Sequence, residues 1–308
     1  MDMTENLIRE LTATTQSVGV YDASEYGQIL VQGPDAASYL HKMTSNEVLK
    51  LALGEGIYNA LLDRKGMLLS LFSMIRLTPD QFRLITPPLL TKKTFDLLTK
   101  MKFIQKLEIE EESSKYGLLF LMGPGAQDLI KAPPEGSVIW KEDTFGFPVW
   151  NLLAPRETIT RFLQQLPSFV IPLSRETIKI VRLSAGFPEY GVDINESNLL
   201  LEIKTPEAYR RQKGCYPGQE VVERILTYGK GRTPKTLCAL RIQGKEEISP
   251  QTQIFSSSGE VAGIVTSSIY HPLKKKTCVL ASLNHKFVEG ASELTKVGDR
   301  VVLTTIAN

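Results

Sequence analysis

At 308 residues the chain exceeds the length at which one hydrophobic core stops growing, so about two or three domains are expected. With 42% hydrophobic and 23% charged residues it has an ordinary globular composition, and a net charge of +2 is too mild to point to nucleic acid. No apolar run reaches the roughly 18 residues of a membrane span, no signal-peptide pattern is found, and the early Asp2 and Glu5 are unlike a transit peptide. The expectation is a cytoplasmic protein with neither membrane nor nucleic acid as partner.

The first half alternates strands and helices. Leu30-Val31-Gln32-Gly33-Pro34-Asp35-Ala36 predicts a strand, a Gly-Pro turn and a helix, and Leu121-Met122-Gly123-Pro124-Gly125-Ala126 repeats the pattern as a divergent duplication would. Proline suits the first helical position and glycine the turn before it. The first of these helices puts Ala36, Ala37, Leu40 and Met43 on one face. Strands are predicted over Ile57–Asp63, Met67–Leu77 and Gln81–Thr86, with turns at Lys65-Gly66 and Pro79-Asp80. A helix over Pro88–Met101 turns Leu90, Leu97, Leu98 and Met101 inward. Gly146–Leu153 reads as a strand, Pro155 opens a helix with Ile159, Phe162, Leu163 and Leu166 on its apolar face, and Ser174 caps another that Gly186 ends. Strands joined by hairpins with interspersed helices suggest antiparallel sheets with helices on one face, an α+β fold.

Glu202 follows three leucines in Leu199-Leu200-Leu201-Glu202-Ile203. A carboxylate at the edge of an apolar pocket suits a ligand offering two parallel N–H donors, such as a pterin or guanine edge; the alternative is a surface strand glutamate. Tyr190 in Gly186–Ile194 either stacks on a heterocycle or does structural work between domains.

The segment Lys213-Gly214-Cys215-Tyr216-Pro217-Gly218-Gln219-Glu220 is the sharpest in the chain. Gly214 and Gly218 give backbone freedom that residues with a Cβ lack, so the thiol is placed on a shaped loop. A helix starting near Pro217 or Gly218 would aim its positive end at the loop, and Lys213, Arg211 and Arg210 add positive charge. Both favour thiolate, against the alternative of a small, buried, inert cysteine. Cys238 and Cys278 sit in apolar runs and read as core. An odd count of three widely spaced cysteines argues against a disulfide framework, and with no C-x-x-C or H-E-x-x-H and three scattered histidines no permanently bound metal is expected.

After the linker Tyr228-Gly229-Lys230-Gly231-Arg232 the pattern changes. Short strands over Lys235–Gln243, Gln253–Ser256, Val261–Tyr270, Lys276–Leu283 and Arg300–Thr305 predict a small β-barrel, with Lys274-Lys275-Lys276 at a hairpin tip. The expected division is residues 1–230, two α+β lobes, and residues 231–308, the barrel.

These segments resemble the folate-binding superfamily of the glycine-cleavage T-protein (aminomethyltransferase) and its YgfZ-type relatives. The resemblance spans nearly the whole chain. It rests on Val31–Ala36 with Leu40, Thr44-Ser45-Asn46-Glu47-Val48, Leu61–Gly66, Arg182–Gly191 and Gly263–Ser268. Sharpest is Lys213–Glu220, similar to the K-G-C-Y-x-G-Q-E signature of the YgfZ branch, where T-proteins lack the cysteine. It implies a three-lobed architecture with ferredoxin-like duplicated lobes, a tetrahydrofolate or folate-derivative cofactor, and Glu202 on the pterin edge. Arg224 and Arg232 are candidates for the glutamate tail or are ordinary surface charges. T-proteins carry adjacent aspartates on the strand after the Gly66 turn, and this chain has Met67-Leu68-Leu69-Ser70-Leu71 there. The YgfZ branch implies a tetrahydrofolate-dependent accessory role in iron-sulfur cluster assembly or repair, with client enzymes or assembly factors as partners. Cys215 would ligate a passing cluster, form a mixed disulfide or react with an oxidised intermediate. The competing readings are a folate-dependent aminomethyl transferase or demethylase, and a binding module that has kept the pocket for another ligand.

Overall fold

A computed structural model of the protein describes residues 3–143, 148–203, 205–245, 247–288, 294–297 and 300–306. The chain forms two compact units, one of Thr12–Leu173 with Thr205–Val221, the other of Met1–Leu11, Ser174–Lys204 and Val222–Asn308.

The chain opens with α1 (Met3–Gln16), β1 (Gly19–Asp22), β2 (Gly27–Gln32) and α2 (Ala36–Met43). A meander of β3 (Gly56–Leu62), β4 (Leu68–Thr78) and β5 (Gln81–Thr86) follows, then α3 (Thr91–Met101) and β6 (Glu108–Glu111). The second strand–turn–helix repeat is β7 (Tyr116–Met122) and the short α4 (Ala126–Leu129), and β8 (Val138–Glu142), β9 (Val149–Pro155), α5 (Arg156–Gln164) and β10 (Ile171–Pro172) complete this part. The strands make two five-stranded sheets, ordered β3-β4-β5-β2-β6 and β10-β1-β7-β9-β8, antiparallel except for β1 with β10.

Each sheet has its own core. Ile29, Val31, Phe72, Met74, Phe82 and Leu84 alternate inward from β2, β4 and β5 and meet Leu40 of α2 and Leu98 of α3. In the other sheet Val20, Leu119, Leu121 and Leu152 pack with Ile159, Phe162 and Leu163 of α5. Both Gly-Pro turns lie between strand and helix as expected, with Gly33 at φ +129° and Gly123 at φ +100°. The helices begin two residues after each proline, so Asp35 and Gly125 take the N-cap position and the prolines stand just outside. Met101, expected inward, is 40% exposed because α3 ends there and Lys102 is already extended. The strand expected from Gly146 begins at Val149, and its first two positions lie outside the described residues.

In the other unit, Ser174 caps α6 (Arg175–Ala185) by accepting from the Thr177 N–H, and Gly186 ends it at φ +78°. Glu10 of α1 accepts from the Ser174 N–H, the Ser174 hydroxyl and the Thr177 hydroxyl, each at 2.6 Å. After α7 (Gln219–Thr227) come β11 (Lys235–Gln243), β12 (Gln253–Ser256), β13 (Val261–His271), β14 (Lys276–Asn284), β15 (Leu294–Val297) and β16 (Arg300–Ile306). These close into a barrel in the order β11-β14-β13-β12-β15-β16. Cys238, Leu240, Ile254, Val265, Val279 and Phe287 fill it, and Cys278 is buried as well, so both strand cysteines are core residues.

Candidate functional site

Cys215 is the exposed cysteine of the three, on a loop whose backbone is fixed from several sides. Gly214 lies at φ +109° and Gly218 at φ +81°, both in the region that favours glycine. At Gly218 a Cβ would also stand 2.5 Å from the Asp63 carbonyl and 3.0 Å from the Gly66 Cα, so the loop lies directly on the β3–β4 turn. That turn is held by Asp63, which accepts from the N–H groups of Lys65 at 2.8 Å and Met67 at 2.9 Å. The α7 N-terminus follows at once, and Gln219 Oε1 accepts from the Tyr216 N–H at 3.2 Å.

Lys213 is buried, and its ammonium does not face solvent. It donates to the carbonyls of His41 and Thr44, at 2.5 Å for Thr44, and lies 5.0 Å from the centre of the Tyr216 ring. These carbonyls end α2, so a cation complements the negative end of that helix while it anchors the loop. Burial lowers the Lys213 pKa to about 8, with Glu47 opposing the shift. His41 completes the anchor: Nε2 lies 2.6 Å from the Lys213 carbonyl and Nδ1 lies 3.1 Å from Glu47 Oε1.

The segment Thr44-Ser45-Asn46 clamps the chain that leads to this loop. The Ser45 hydroxyl donates to the Ala208 carbonyl at 2.5 Å, Asn46 Nδ2 donates to the Glu207 carbonyl at 2.6 Å, and the Arg210 N–H donates to the Ser45 carbonyl at 3.0 Å. Asn59 Oδ1 in turn receives the Asn46 N–H at 3.0 Å. Below Asn46 a groove of about 410 Å³ is lined by Glu47, Lys50, Glu55, Arg210, Arg211 and Gln212, among others.

The other unit carries the carboxylates. Asp193 is buried and saturated: Oδ2 accepts from Arg182 at 2.7 Å and the Glu189 N–H at 3.0 Å, and Oδ1 accepts from Thr266 at 2.7 Å and from the Ser267 hydroxyl. Arg182 also meets Glu189 at 2.9 Å. Glu202 lies in a 3-10 turn, Leu200–Ile203, and is 8% exposed, so it is not a surface strand glutamate. Its Oε2 accepts from Asn198 Nδ2 at 3.0 Å and the Leu199 N–H at 3.3 Å, and Oε1 has no partner among the described residues. Burial raises the Glu202 pKa, against the Asn198 and Leu199 hydrogen bonds and the charge of Lys235.

The residues singled out in the sequence therefore fall in two groups. Lys213, Gly214, Cys215, Tyr216, Gly218, Gln219 and Glu220 share a unit with His41, Ser45 and Asn46, whereas Tyr190, Glu202, Arg224 and Arg232 belong to the other. Tyr190 is half-buried in a bridge with Ile194, and Arg224 and Arg232 are exposed. His41 was not readable as part of the cysteine loop, because 172 positions separate it from Lys213. Among the described residues no group of three or more His, Cys, Asp or Glu side chains is placed to hold a metal ion, and no helix is long and apolar enough to cross a membrane.

Residues 1–150 match the family model of the GCVT N-terminal domain. The chain is similar to the aminomethyltransferase of Thermus thermophilus, 25% identical over 300 residues, which cover 90% of this chain and 82% of that protein. The crystal structure of glycine cleavage system aminomethyltransferase T from Bartonella henselae has the same fold, with a TM-score of 0.83 at 19% identity over 98% of this chain and 88% of that one. The protein thus has the α+β fold of a glycine cleavage T-protein, and these likenesses support the T-protein superfamily.

Proposed function

We propose that the protein binds a reduced folate and acts as an accessory factor in the assembly or repair of iron-sulfur clusters in client enzymes, with Cys215 as its working thiol. The observation that carries this reading is the presentation of Cys215. Two positive-φ glycines, a buried lysine and a side-chain clamp on the preceding residues hold an exposed cysteine in one place. Inert cysteines are buried, as Cys238 and Cys278 are. The cluster is cargo on this reading, since the client or the folate supplies what a lone thiol lacks.

Glu202 is assigned to the pterin edge through Oε1 alone, since Oε2 is occupied by Asn198 and the Leu199 N–H of its own loop. Tyr190 is assigned to the heterocycle, and Arg224 and Arg232 to the glutamate tail. Aminomethyl transfer or demethylation is the second reading, favoured by the similarity to the Thermus thermophilus aminomethyltransferase. Against it, no carboxylate occurs between Met67 and Ser73, and the Ser70 hydroxyl is buried at 2.6 Å from Thr94 Oγ1.

Titration of tetrahydrofolate into the wild type and two variants tests the proposal. Glu202→Gln is expected to weaken binding by about 1.5–3 kcal/mol, the range for a charge-assisted hydrogen bond; an unaltered dissociation constant would remove Glu202 from the pocket. Cys215→Ala is expected to keep fold and folate affinity while iron-sulfur enzyme activities fall in cells. Undiminished activities would overturn the role of the thiol. Turnover of tetrahydrofolate with an aminomethyl donor by the purified protein would favour the transferase.

A further inference from the structure

The groove below Asn46 is a strong candidate for the surface on which a protein partner meets Cys215. Its acids are already engaged: Glu47 Oε1 faces His41 and accepts from the Leu49 N–H at 3.1 Å, and Glu55 accepts from the Ala52 N–H at 2.9 Å. Two of its cations are not, for Lys50 and Arg210 are exposed and their side chains have no partner among the described residues. A backbone N–H leaves a carboxylate its charge, so with Lys50, Arg210 and Arg211 set against Glu47 and Glu55 the lining is positive by one charge, and Lys50 and Arg210 are the cations open to a partner. The adjoining loop adds apolar surface, since Leu49 is 51% and Leu53 61% exposed. Arg76 fixes this loop by donating to the Leu51 carbonyl at 2.8 Å, so both leucines stand on a braced segment. At the other end the wall is Gln212, held at φ +59°. Cys215 follows three positions later, and three residues of extended chain span at most about 11 Å.

We propose that this groove docks an acidic segment of a partner protein, its carboxylates on Lys50 and Arg210 and its apolar residues against Leu49 and Leu53, so that the partner's reactive group reaches Cys215. The proposal rests on the reading of Cys215 as a thiol that meets other proteins. A small anion would satisfy the two cations and leave the leucines uncovered, whereas an extended peptide covers both.

Disulfide exchange with synthetic peptides tests it. Each peptide carries one cysteine activated as a 2-thiopyridyl disulfide, flanked either by alternating Glu and Leu or by alternating Lys and Leu. The Cys215 thiolate attacks the peptide sulfur, forms the mixed disulfide and expels 2-thiopyridone, which is followed by absorbance. In the wild type the acidic peptide is expected to react about tenfold faster than the basic one at low salt, the lower end of electrostatic steering, and added salt is expected to shrink the ratio. The Lys50→Glu, Arg210→Glu double variant is expected to abolish the preference, read as the ratio of its rates with the acidic and the basic peptide, in which any change in the thiol itself cancels. Equal rates in the wild type, or a preference that survives the double variant, would overturn the groove. The same acidic peptide with serine for its cysteine, read by fluorescence anisotropy against wild type and double variant, tests docking independently of the thiol. Slow reaction of the wild type with an uncharged pyridyl disulfide would instead count against the reading of Cys215 itself.

Discussion

In the loop around Cys215 the buried side chains of Lys213, Ser45 and Asn46 are turned onto main-chain oxygens, and the thiol is left outside. In the segment from Glu189 to Ile203 two buried carboxylates meet opposite fates. Asp193 has both oxygens filled by an arginine, a backbone N–H and two hydroxyls, whereas Glu202 has only Oε2 engaged. A buried polar group that is fully paired is accounted for by the fold, and one with an oxygen to spare is able to accept from a ligand. By that criterion the fold accounts for Asp193, whereas Glu202 keeps an oxygen for the ligand proposed above, although both are acids on neighbouring turns.

The largest expected effect is at Asp193. Asp193→Ala leaves Arg182 with the partly exposed Glu189 as its remaining carboxylate and strips the Thr266 and Ser267 hydroxyls of an acceptor. Removing one partner of a buried ion pair costs about 3–5 kcal/mol, so chemical denaturation should show a loss of that order. A loss below about 1 kcal/mol, typical of exposed pairs, would dissolve the distinction drawn between the two carboxylates.

Gly218→Ala comes next. It places a methyl against the Asp63 carbonyl and forces a positive φ on alanine. A cost of about 1–3 kcal/mol is expected from the backbone strain, with more from the contact. The informative readout is Cys215: its rate with an uncharged disulfide should change while the barrel core, which holds Cys238, stays protected. An unaltered rate would mean that the glycine shapes the turn without shaping the thiol's surroundings.

Much of this was legible in the sequence, and the parts that were not share a cause. The barrel strands over 235–243 and 253–256 and the helix between Ser174 and Gly186 coincide with elements of the structure, because alternation, caps and left-handed glycines are local signals. The α+β class follows from the same signals. The loop cysteine was marked by its glycines, and it is exposed. By contrast β15, a four-residue strand, carries too few residues to show a period, and Glu202 was read against a strand where the chain makes a 3-10 turn. The motif Thr44-Ser45-Asn46 stood out only through resemblance. Its physical role, receiving the chain at 207–210, lies in contacts some 160 positions away that no local pattern encodes. Lys213 is expected to lend charge to the thiol, and the contacts of its ammonium with the carbonyls that end α2 are a further role that no local pattern encodes.

The smallest effect is the one that most sharpens the contrast between the carboxylates. Burial raises the Glu202 pKa above its unfolded value, so the unfolded chain gives up this proton more readily than the folded one. Below the unfolded value of about 4.3 the group is protonated in both states and carries no penalty. As pH rises through the folded value the penalty grows, and above it the penalty is constant, so an ionised Glu202 lowers stability at neutral pH. Glu202→Gln keeps an oxygen for Asn198 and the Leu199 N–H, places its amide where Oε1 has no partner, and removes the charge. Thermal melts should therefore show a higher Tm for the variant at pH 7, with the difference vanishing as the pH falls below about 4. The same substitution is expected to weaken folate binding, and a site that gives up stability for function behaves in this way. A variant less stable at pH 7 would instead place Glu202 beside Asp193, as an acid the fold needs.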